Sequence, residues 1–136
     1  MTHDGSFKHS AVPESCTQEM IAGTPHVDTF SHELRCFLPL EDITKENGPT
    51  ICYKRSMHLK EIKQIHLNQL LEVFNFEADE GGSHLVNDEK IKFLEEKTDK
   101  VYLTGNKGDL ILLDLKTAHF ASTLKNGQRH ILWFYY

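Results

Sequence analysis

Turn-forming residues divide much of this chain into short segments, and their spacing limits what it can fold into. Three turn signals stand between runs of β-forming residues: Asn47-Gly48-Pro49, Gly105-Asn106-Lys107-Gly108 and Asn126-Gly127. In the run at 33–40, four apolar side chains, Leu34, Cys36, Leu38 and Leu40, alternate with Glu33, Arg35, Phe37 and Pro39. This two-residue period predicts a strand with one face well buried.

Further short strands are expected, most of them in the last third of the chain. They are Thr50–Tyr53, 101–103, 110–114, a strand around His119, and 129–136. We expect Thr50–Tyr53 to return beside the strand at 33–40 as a hairpin, because only turn-forming sequence separates the two.

One segment, residues 59–74, shows a different spacing of apolar residues from that of the strands. In residues 59–74 apolar side chains recur every three to four positions, with lysine, glutamine and glutamate between them, which predicts an amphipathic helix. An acidic loop with two glycines follows at 77–88, and a shorter helix is expected over 89–96. Many short strands with one or two inserted helices indicate a mainly β fold, a small barrel or jelly roll.

The chain has 136 residues, which is enough for one domain of ordinary size. Residues 1–15 are polar and carry Gly5 and Pro13, so we expect a flexible N-terminal arm, followed by a single domain over 16–136. No apolar run approaches the ~18 residues that a membrane helix needs. With no secretion signal or glycosylation sequon in the sequence, a cytoplasmic location is expected.

The charge pattern restricts the partners. The net charge is −5, and the basic residues are scattered, whereas a nucleic-acid binder carries a clustered basic surface. We therefore expect no nucleic-acid partner and no membrane partner. A small-molecule substrate is expected instead, and a homo-oligomer stays open.

The cysteines give no indication of a metal site, whereas the number of histidines does. The three cysteines, Cys16, Cys36 and Cys52, are odd in number and show no C-x-x-C spacing, so neither a disulfide framework nor a thiolate zinc site is indicated. Nine histidines are many for this length, which raises the question of a metal site.

A His-x-Asp triplet is the first candidate for such a site. In an extended backbone His26 and Asp28 project from the same face and can converge on one metal. About ninety residues later comes His119, and two histidines with one carboxylate are the donor set that holds Fe(II) while leaving positions open. Arg129 follows ten residues after His119. If the cosubstrate is 2-oxoglutarate, its distal carboxylate requires a fixed cation of this kind.

A family resemblance follows from an ordered set of motifs: His26-Val27-Asp28, Arg35-Cys36-Phe37-Leu38-Pro39-Leu40, Asp42-Ile43-Thr44-Lys45-Glu46-Asn47-Gly48-Pro49, the strand that begins at Gly108-Asp109, His119 and Arg129. Over residues 24–136 this set resembles the phytanoyl-CoA dioxygenase-like family of Fe(II)/2-oxoglutarate oxygenases. The Glu-Asn-Gly-Pro turn after a strand and the ten-residue step from histidine to arginine are its most specific parts. The Pro-Gly-Ser-His turn of that family stands here as Lys54-Arg55-Ser56-Met57-His58.

The resemblance implies a double-stranded β-helix, which is a cupin-like jelly roll. It also implies that His26, Asp28 and His119 are the catalytic iron ligands, and that Arg129 binds the distal carboxylate of 2-oxoglutarate, with O₂ as the second cosubstrate. Residues 125–129 also resemble the tail of the prolyl-hydroxylase-like branch, so the branch stays open.

The expected reaction is hydroxylation of a small organic substrate, with succinate and CO₂ as coproducts. Related halogenases have a small residue where this chain has Asp28, and a carboxylate there favours hydroxylation. Two alternatives remain. One is a cupin-like metal-binding protein that does not use 2-oxoglutarate, in which Arg129 is structural, and the other is a non-catalytic binding module.

Overall fold

The structure is a computed structural model that describes residues 12–13, 23–29, 31, 33–75, 84–86 and 88–135. Most of the expected arm at 1–15 and of the expected acidic loop at 77–88 lies outside the described residues. The strands are β1 Val12–Pro13, β2 His26–Val27, β3 Leu34–Pro39, β4 Thr50–Tyr53, β5 His84–Leu85, β6 Lys100–Tyr102, β7 Ile111–Asp114, β8 His119–Ala121, β9 Thr123–Leu124 and β10 Ile131–Tyr135. The helices are α1 Lys60–Asn75 and α2 Asp88–Lys97, and a short 3-10 turn spans Ser56–His58.

Two sheets form the body of the fold. A five-stranded sheet has the order β5-β2-β8-β4-β6, and a three-stranded sheet has the order β10-β3-β7. Every strand pair within these two sheets is antiparallel. The expected mainly β jelly roll is confirmed, and both expected helices are present.

The expected hairpin between β3 and β4 is wrong. The two strands belong to different sheets, and the turn between them carries the chain from one sheet to the other. The side chain of Asn47 holds this crossing: its Oδ1 accepts from the Thr44 backbone N–H at 2.8 Å, and its Nδ2 donates to the Asp42 carbonyl at 2.9 Å. Gly48 follows with φ of 74°, which is the left-handed region that glycine adopts without strain.

Two apolar clusters lie on opposite faces of the five-stranded sheet. On its outer face, Ile62 and Ile65 of α1 and Leu94 of α2 pack on Val27 and Tyr53. On its inner face a second cluster fills the space against the three-stranded sheet, with members Phe37, Ile43, Cys52, Leu113, Leu115 and Ile131. Burial of both faces explains why β4 has almost no polar residue.

The three-stranded sheet buries the face of β3 that carries Arg35, Phe37 and Pro39. Its leucine-bearing face is turned outward, and Leu34 is 39% exposed. Leu112 of β7 and Phe134 of β10 pair with Cys36 across this outer face and are 55% and 45% exposed. The alternation of residues predicts this strand correctly. Its more apolar face, however, is the outer one, and the inner face carries the charged residue Arg35.

Among the described residues, neither helix is long and apolar enough to cross a membrane.

Candidate metal centre

The strand register brings His26 and His119 together. β2 and β8 are antiparallel neighbours, and His26 is the residue directly opposite His119. The two rings lie with their centroids 4.6 Å apart, and His119 is only 2% exposed. Two histidines that are distant in the sequence therefore present their imidazoles side by side on the inner face of the sheet.

Asp28 completes the cluster from the end of β2. Its backbone N–H donates to the Leu115 carbonyl at 3.3 Å, which ties this end of β2 to the turn before β8. Its Oδ1 lies 3.4 Å from Nε2 of His26, and its Oδ2 lies 3.6 Å from Nε2 of His119. One donor atom from each of the three residues falls within 4.8 Å of the others, so the group can hold a metal ion.

Both histidines are oriented by the same local device. Nδ1 of His26 lies 2.6 Å from the Thr24 carbonyl, and Nδ1 of His119 lies 2.8 Å from the Thr117 carbonyl. A carbonyl can only accept, so it keeps the proton on Nδ1 and leaves the lone pair of Nε2 for a metal. The shared Thr-x-His sequence is a signal of this arrangement that the sequence analysis missed.

The buried nitrogen of His119 tests whether the group suits a metal. Its Nε2 is fully buried and makes no hydrogen bond. A buried nitrogen in that state costs free energy unless something binds it. Two imidazole nitrogens and a carboxylate oxygen suit first-row divalent metals such as Fe(II). The residues present therefore fit the metal that the sequence resemblance implies.

Opposing effects act on the Asp28 carboxyl. Burial raises its pKa, but the neighbouring His119 and His26 side chains and the positive charge of Arg35 outweigh burial and hold the pKa well below its usual range. Asp28 is therefore an ionised carboxylate at neutral pH, the form that a metal ligand requires.

Arg35 is the residue of this centre that the sequence analysis placed only in a strand. Its Nη2 donates to Oδ2 of Asp28 at 2.5 Å. Residue alternation makes the opposite face of β3 the more apolar one, and only the structure shows that Arg35 shares the inward side of Phe37, which is 3% exposed. A charged residue on a buried strand face calls for a partner.

Arg129 lies near the start of β4. It is 1% exposed, and a guanidinium nitrogen, Nη1, donates to the Gly48 carbonyl. Burial lowers its pKa to about 10, so it keeps its charge at neutral pH. The crossing turn presents that carbonyl, because Asn47 also donates to the Gln128 carbonyl at 3.2 Å and joins the turn to the segment before Arg129.

Strand positions relate Arg129 to His26, Asp28 and His119, which are called the metal-ligand group because together they can hold a metal ion. Cys52 of β4 stands opposite His119, and Gly48 precedes Cys52 by four residues, about 13 Å along an extended backbone. Arg129 is separated by even steps from Ile131 and Trp133, which both pack in the inter-sheet cluster. This parity indicates that Arg129 faces the inter-sheet space, and its contact with Gly48 places it toward the start of β4, away from the position opposite His119.

Three other histidines, His58, His66 and His130, make contacts outside this centre or are exposed. His66 on α1 is buried, and its Nε2 lies 3.1 Å from the Lys116 carbonyl. His58 and His130 are exposed, and His130 lies 3.0 Å from a carboxylate oxygen of Glu41. Within the described ranges, His26, Asp28 and His119 are the one group of histidine, cysteine or acidic residues arranged to bind a metal.

Comparison with known proteins is informative at the level of fold. No protein-family model matches the sequence, and no curated protein matches it. Among solved structures, the chain is similar to EctD from S. alaskensis with bound Fe, with a TM-score of 0.52 and 16% identity over 76% of this chain and 30% of EctD. A second EctD structure, with 2-oxoglutarate and 5-hydroxyectoine, gives a TM-score of 0.49 and 18% identity over the same shares. The chain thus shares a fold with EctD and spans less than a third of its length.

Proposed function

We propose that the chain is an Fe(II)/2-oxoglutarate-dependent dioxygenase that hydroxylates a small organic substrate. The observation that carries the proposal is the convergence of His26, Asp28 and His119 inside the jelly roll, with both histidines oriented through Nδ1 and Nε2 of His119 left without a hydrogen bond. Two histidines and one carboxylate leave half of an octahedral shell for other ligands. The fold shared with iron-bound EctD agrees with this role.

When bound, iron with 2-oxoglutarate and O₂ supplies the oxidising power to insert oxygen into a C–H bond, releasing succinate and CO₂. The task of the protein is to hold the three ligands and to keep water from the interior. The inter-sheet apolar cluster does the second, because it packs Phe37 and Ile131 on the same side of the sheets as the ligands.

Arg129 is the proposed contact for the distal carboxylate of 2-oxoglutarate. Its guanidinium is buried and charged, and its parity with Ile131 and Trp133 indicates that it faces the inter-sheet space. A planar guanidinium can form two parallel hydrogen bonds with a carboxylate, which gives orientation as well as attraction. The bond from Nη1 to the Gly48 carbonyl fixes its position before any cosubstrate binds.

We place the chain in the phytanoyl-CoA dioxygenase-like family, with residues 16–136 as a single oxygenase domain. The backbone at Arg55 supports this placement. Arg55 has φ of 61°, the left-handed conformation, at the position where the Pro-Gly-Ser-His turn of the family has glycine. A turn that needs glycine thus keeps its shape here although the glycine is replaced.

Anaerobic calorimetric titration with Fe(II) tests the metal site. We expect one Fe(II) per chain in the wild type and a loss of most of that affinity in Asp28→Ala, because Asp28 supplies the one carboxylate of the group that can hold a metal. Succinate release from 2-oxoglutarate by the iron-loaded protein, measured with and without a library of small molecules, then tests the reaction. An unchanged Fe(II) affinity in Asp28→Ala would show that the site is assigned wrongly.

A cupin-like metal protein that does not use 2-oxoglutarate is the second candidate. The bond from Arg129 to the Gly48 carbonyl favours it, because it gives the guanidinium a structural task of its own. In that case Arg129→Gln would destabilise the fold and leave 2-oxoglutarate binding unchanged.

A further inference from the structure

Arg35 touches the metal-ligand group without belonging to it. It lies on β3 in the three-stranded sheet, whereas His26, His119 and Asp28 come from β2, β8 and the residue that follows β2 in the five-stranded sheet. Its Nη2 lies 2.5 Å from Oδ2 of Asp28, and the side chains of the two residues are 14% and 18% exposed. A charged hydrogen bond this short, in a mostly buried place, restricts the rotation of the carboxylate.

The guanidinium of Arg35 also contacts an aromatic ring. Its central carbon lies 5.2 Å from the ring centre of Trp133, within the range of a cation–π contact. The Trp133 ring in turn meets Phe37 edge-on, with centroids 6.0 Å apart. The contacts therefore run from the apolar interior through Trp133 and Arg35 to the carboxylate, so its orientation is set before a metal arrives.

We propose that Arg35 is a positioning residue of the metal centre: it occupies Oδ2 of Asp28 and thereby directs Oδ1, with the two imidazoles, toward the metal. The inference rests on the proposed metal site. A carboxylate that shares its oxygens between a guanidinium and a metal binds the metal through one oxygen only. That leaves open the positions which a chelating cosubstrate needs.

The guanidinium has two opposing effects on a divalent cation. It repels the cation, and it also holds the ligand in a binding geometry and satisfies the second carboxylate oxygen. Hydrogen-bond partners behind metal ligands typically account for ~10- to 100-fold in metal affinity. The proposal therefore requires that loss of the hydrogen bond weakens binding, with charge repulsion as the smaller effect.

The test compares Fe(II) affinity, measured anaerobically by calorimetry, in Arg35→Met, Arg35→Gln and Arg35→Lys. We expect Arg35→Met to lose ~10-fold or more. Arg35→Gln and Arg35→Lys each retain a donor and should lose less. Lys100→Met is the matched control: it also removes one positive charge from a pair at 2.5 Å, between Lys100 and Glu95, but outside the metal-ligand group. Its Fe(II) affinity should equal that of the wild type.

A second measurement separates positioning from a general loss of structure. The visible absorption of bound Co(II) depends on coordination number and geometry, so it should change in Arg35→Met and keep its wild-type form in Lys100→Met. Thermal melting of the metal-free variants verifies that each is folded. If Arg35→Met fails to fold, the comparison of Arg35→Gln and Arg35→Lys with the wild type carries the test.

The outcomes are distinct for the two proposals. A folded Arg35→Met with equal or tighter Fe(II) binding and an unchanged Co(II) spectrum overturns the positioning role and leaves the proposed function in place. If Arg35→Met fails to fold, Arg35→Gln and Arg35→Lys at wild-type affinity overturn it in the same way. A wild-type protein that binds no Fe(II) overturns both.

Discussion

The two ends of the inter-sheet space are built differently. At the metal-ligand end, side chains from three strands or strand ends hold one another, through the contacts of Asp28 with His26, His119 and Arg35. At the other end, Arg129 is held by backbone, through the carbonyl of Gly48 in the crossing turn. The first end is a network in which three side chains share Asp28 as their common partner, whereas Arg129 at the second end is tied to the turn before β4.

This difference predicts how substitutions at each end affect the binding of metal and cosubstrate. Groups that act as a unit lose function together when any member is removed. Arg129 makes its contact at Gly48 and not at Asp28, and sites without shared partners respond independently to substitution. Changes at the metal-ligand end should therefore affect both metal and cosubstrate, and changes at Arg129 should affect the cosubstrate alone.

The largest effect is expected from His119→Ala. Removal of a ligand should lower Fe(II) affinity by more than the ~10- to 100-fold that a residue behind a ligand contributes. His66→Ala is the matched control, since His66 is also buried and bonded to a backbone carbonyl but stands on α1, away from the metal-ligand group. Anaerobic titration of both variants makes the comparison, and equal losses would mean that His119 is structural.

Asp28→Gly should have a smaller effect on metal and a full effect on catalysis. The two histidines should retain some iron, while the vacated position admits water or halide and hydroxylation is lost. Iron content after anaerobic loading and hydroxylated product are the two measurements. Full product formation in this variant would contradict a catalytic role for the carboxylate.

At the other end, Arg129→Gln should weaken 2-oxoglutarate binding by ~10- to 100-fold, which is the loss of a charged hydrogen-bonded pair. Arg129→Lys keeps the charge but not the planar pair of donors and should lose less. Fe(II) affinity should be unchanged in both variants. Titration of the iron-loaded protein with 2-oxoglutarate tests the order, and a loss of iron in Arg129→Gln would show that the two ends are not independent.

The smallest effect is expected at Arg55, which belongs to neither end of the inter-sheet space. Arg55→Gly should stabilise the protein by about 1 kcal/mol, because glycine adopts the left-handed conformation of Arg55 without strain. Arg55→Ala removes the same side chain and keeps the strain, so it should give no such gain. Urea unfolding of the two variants, together with unchanged Fe(II) affinity, completes the comparison.

Much of the fold could be predicted because the spacing of apolar residues indicates where strands and helices lie. The sequence predicts Thr50–Tyr53 to the residue, and it predicts α1 and α2 to within one residue at each end. Local sequence patterns do not show which strand pairs with which. The hairpin between β3 and β4 was therefore wrong, since turn residues predict a reversal of the chain but not which sheet receives the next strand.

For the site, too, some residues could be predicted from the sequence and others could not. Residue type and spacing singled out His26, Asp28 and His119, and the structure brings the three together. Their role as iron ligands stays a prediction, as does that of Arg129. Arg35 escaped notice because an arginine in an alternating strand is usually solvent-exposed, and only the packing of the two sheets shows that it faces inward.

The pairing of His26 with His119 has a consequence for folding kinetics. The two residues are about ninety positions apart, so their contact forms only after the intervening chain is closed into a loop, and folds dominated by such contacts form on the millisecond-to-second scale. The ligand group cannot exist in a partly folded chain that lacks this pairing. The ability to take up metal during refolding should therefore appear with the final cooperative phase, and the time course of metal uptake would report when the β2–β8 pairing is complete.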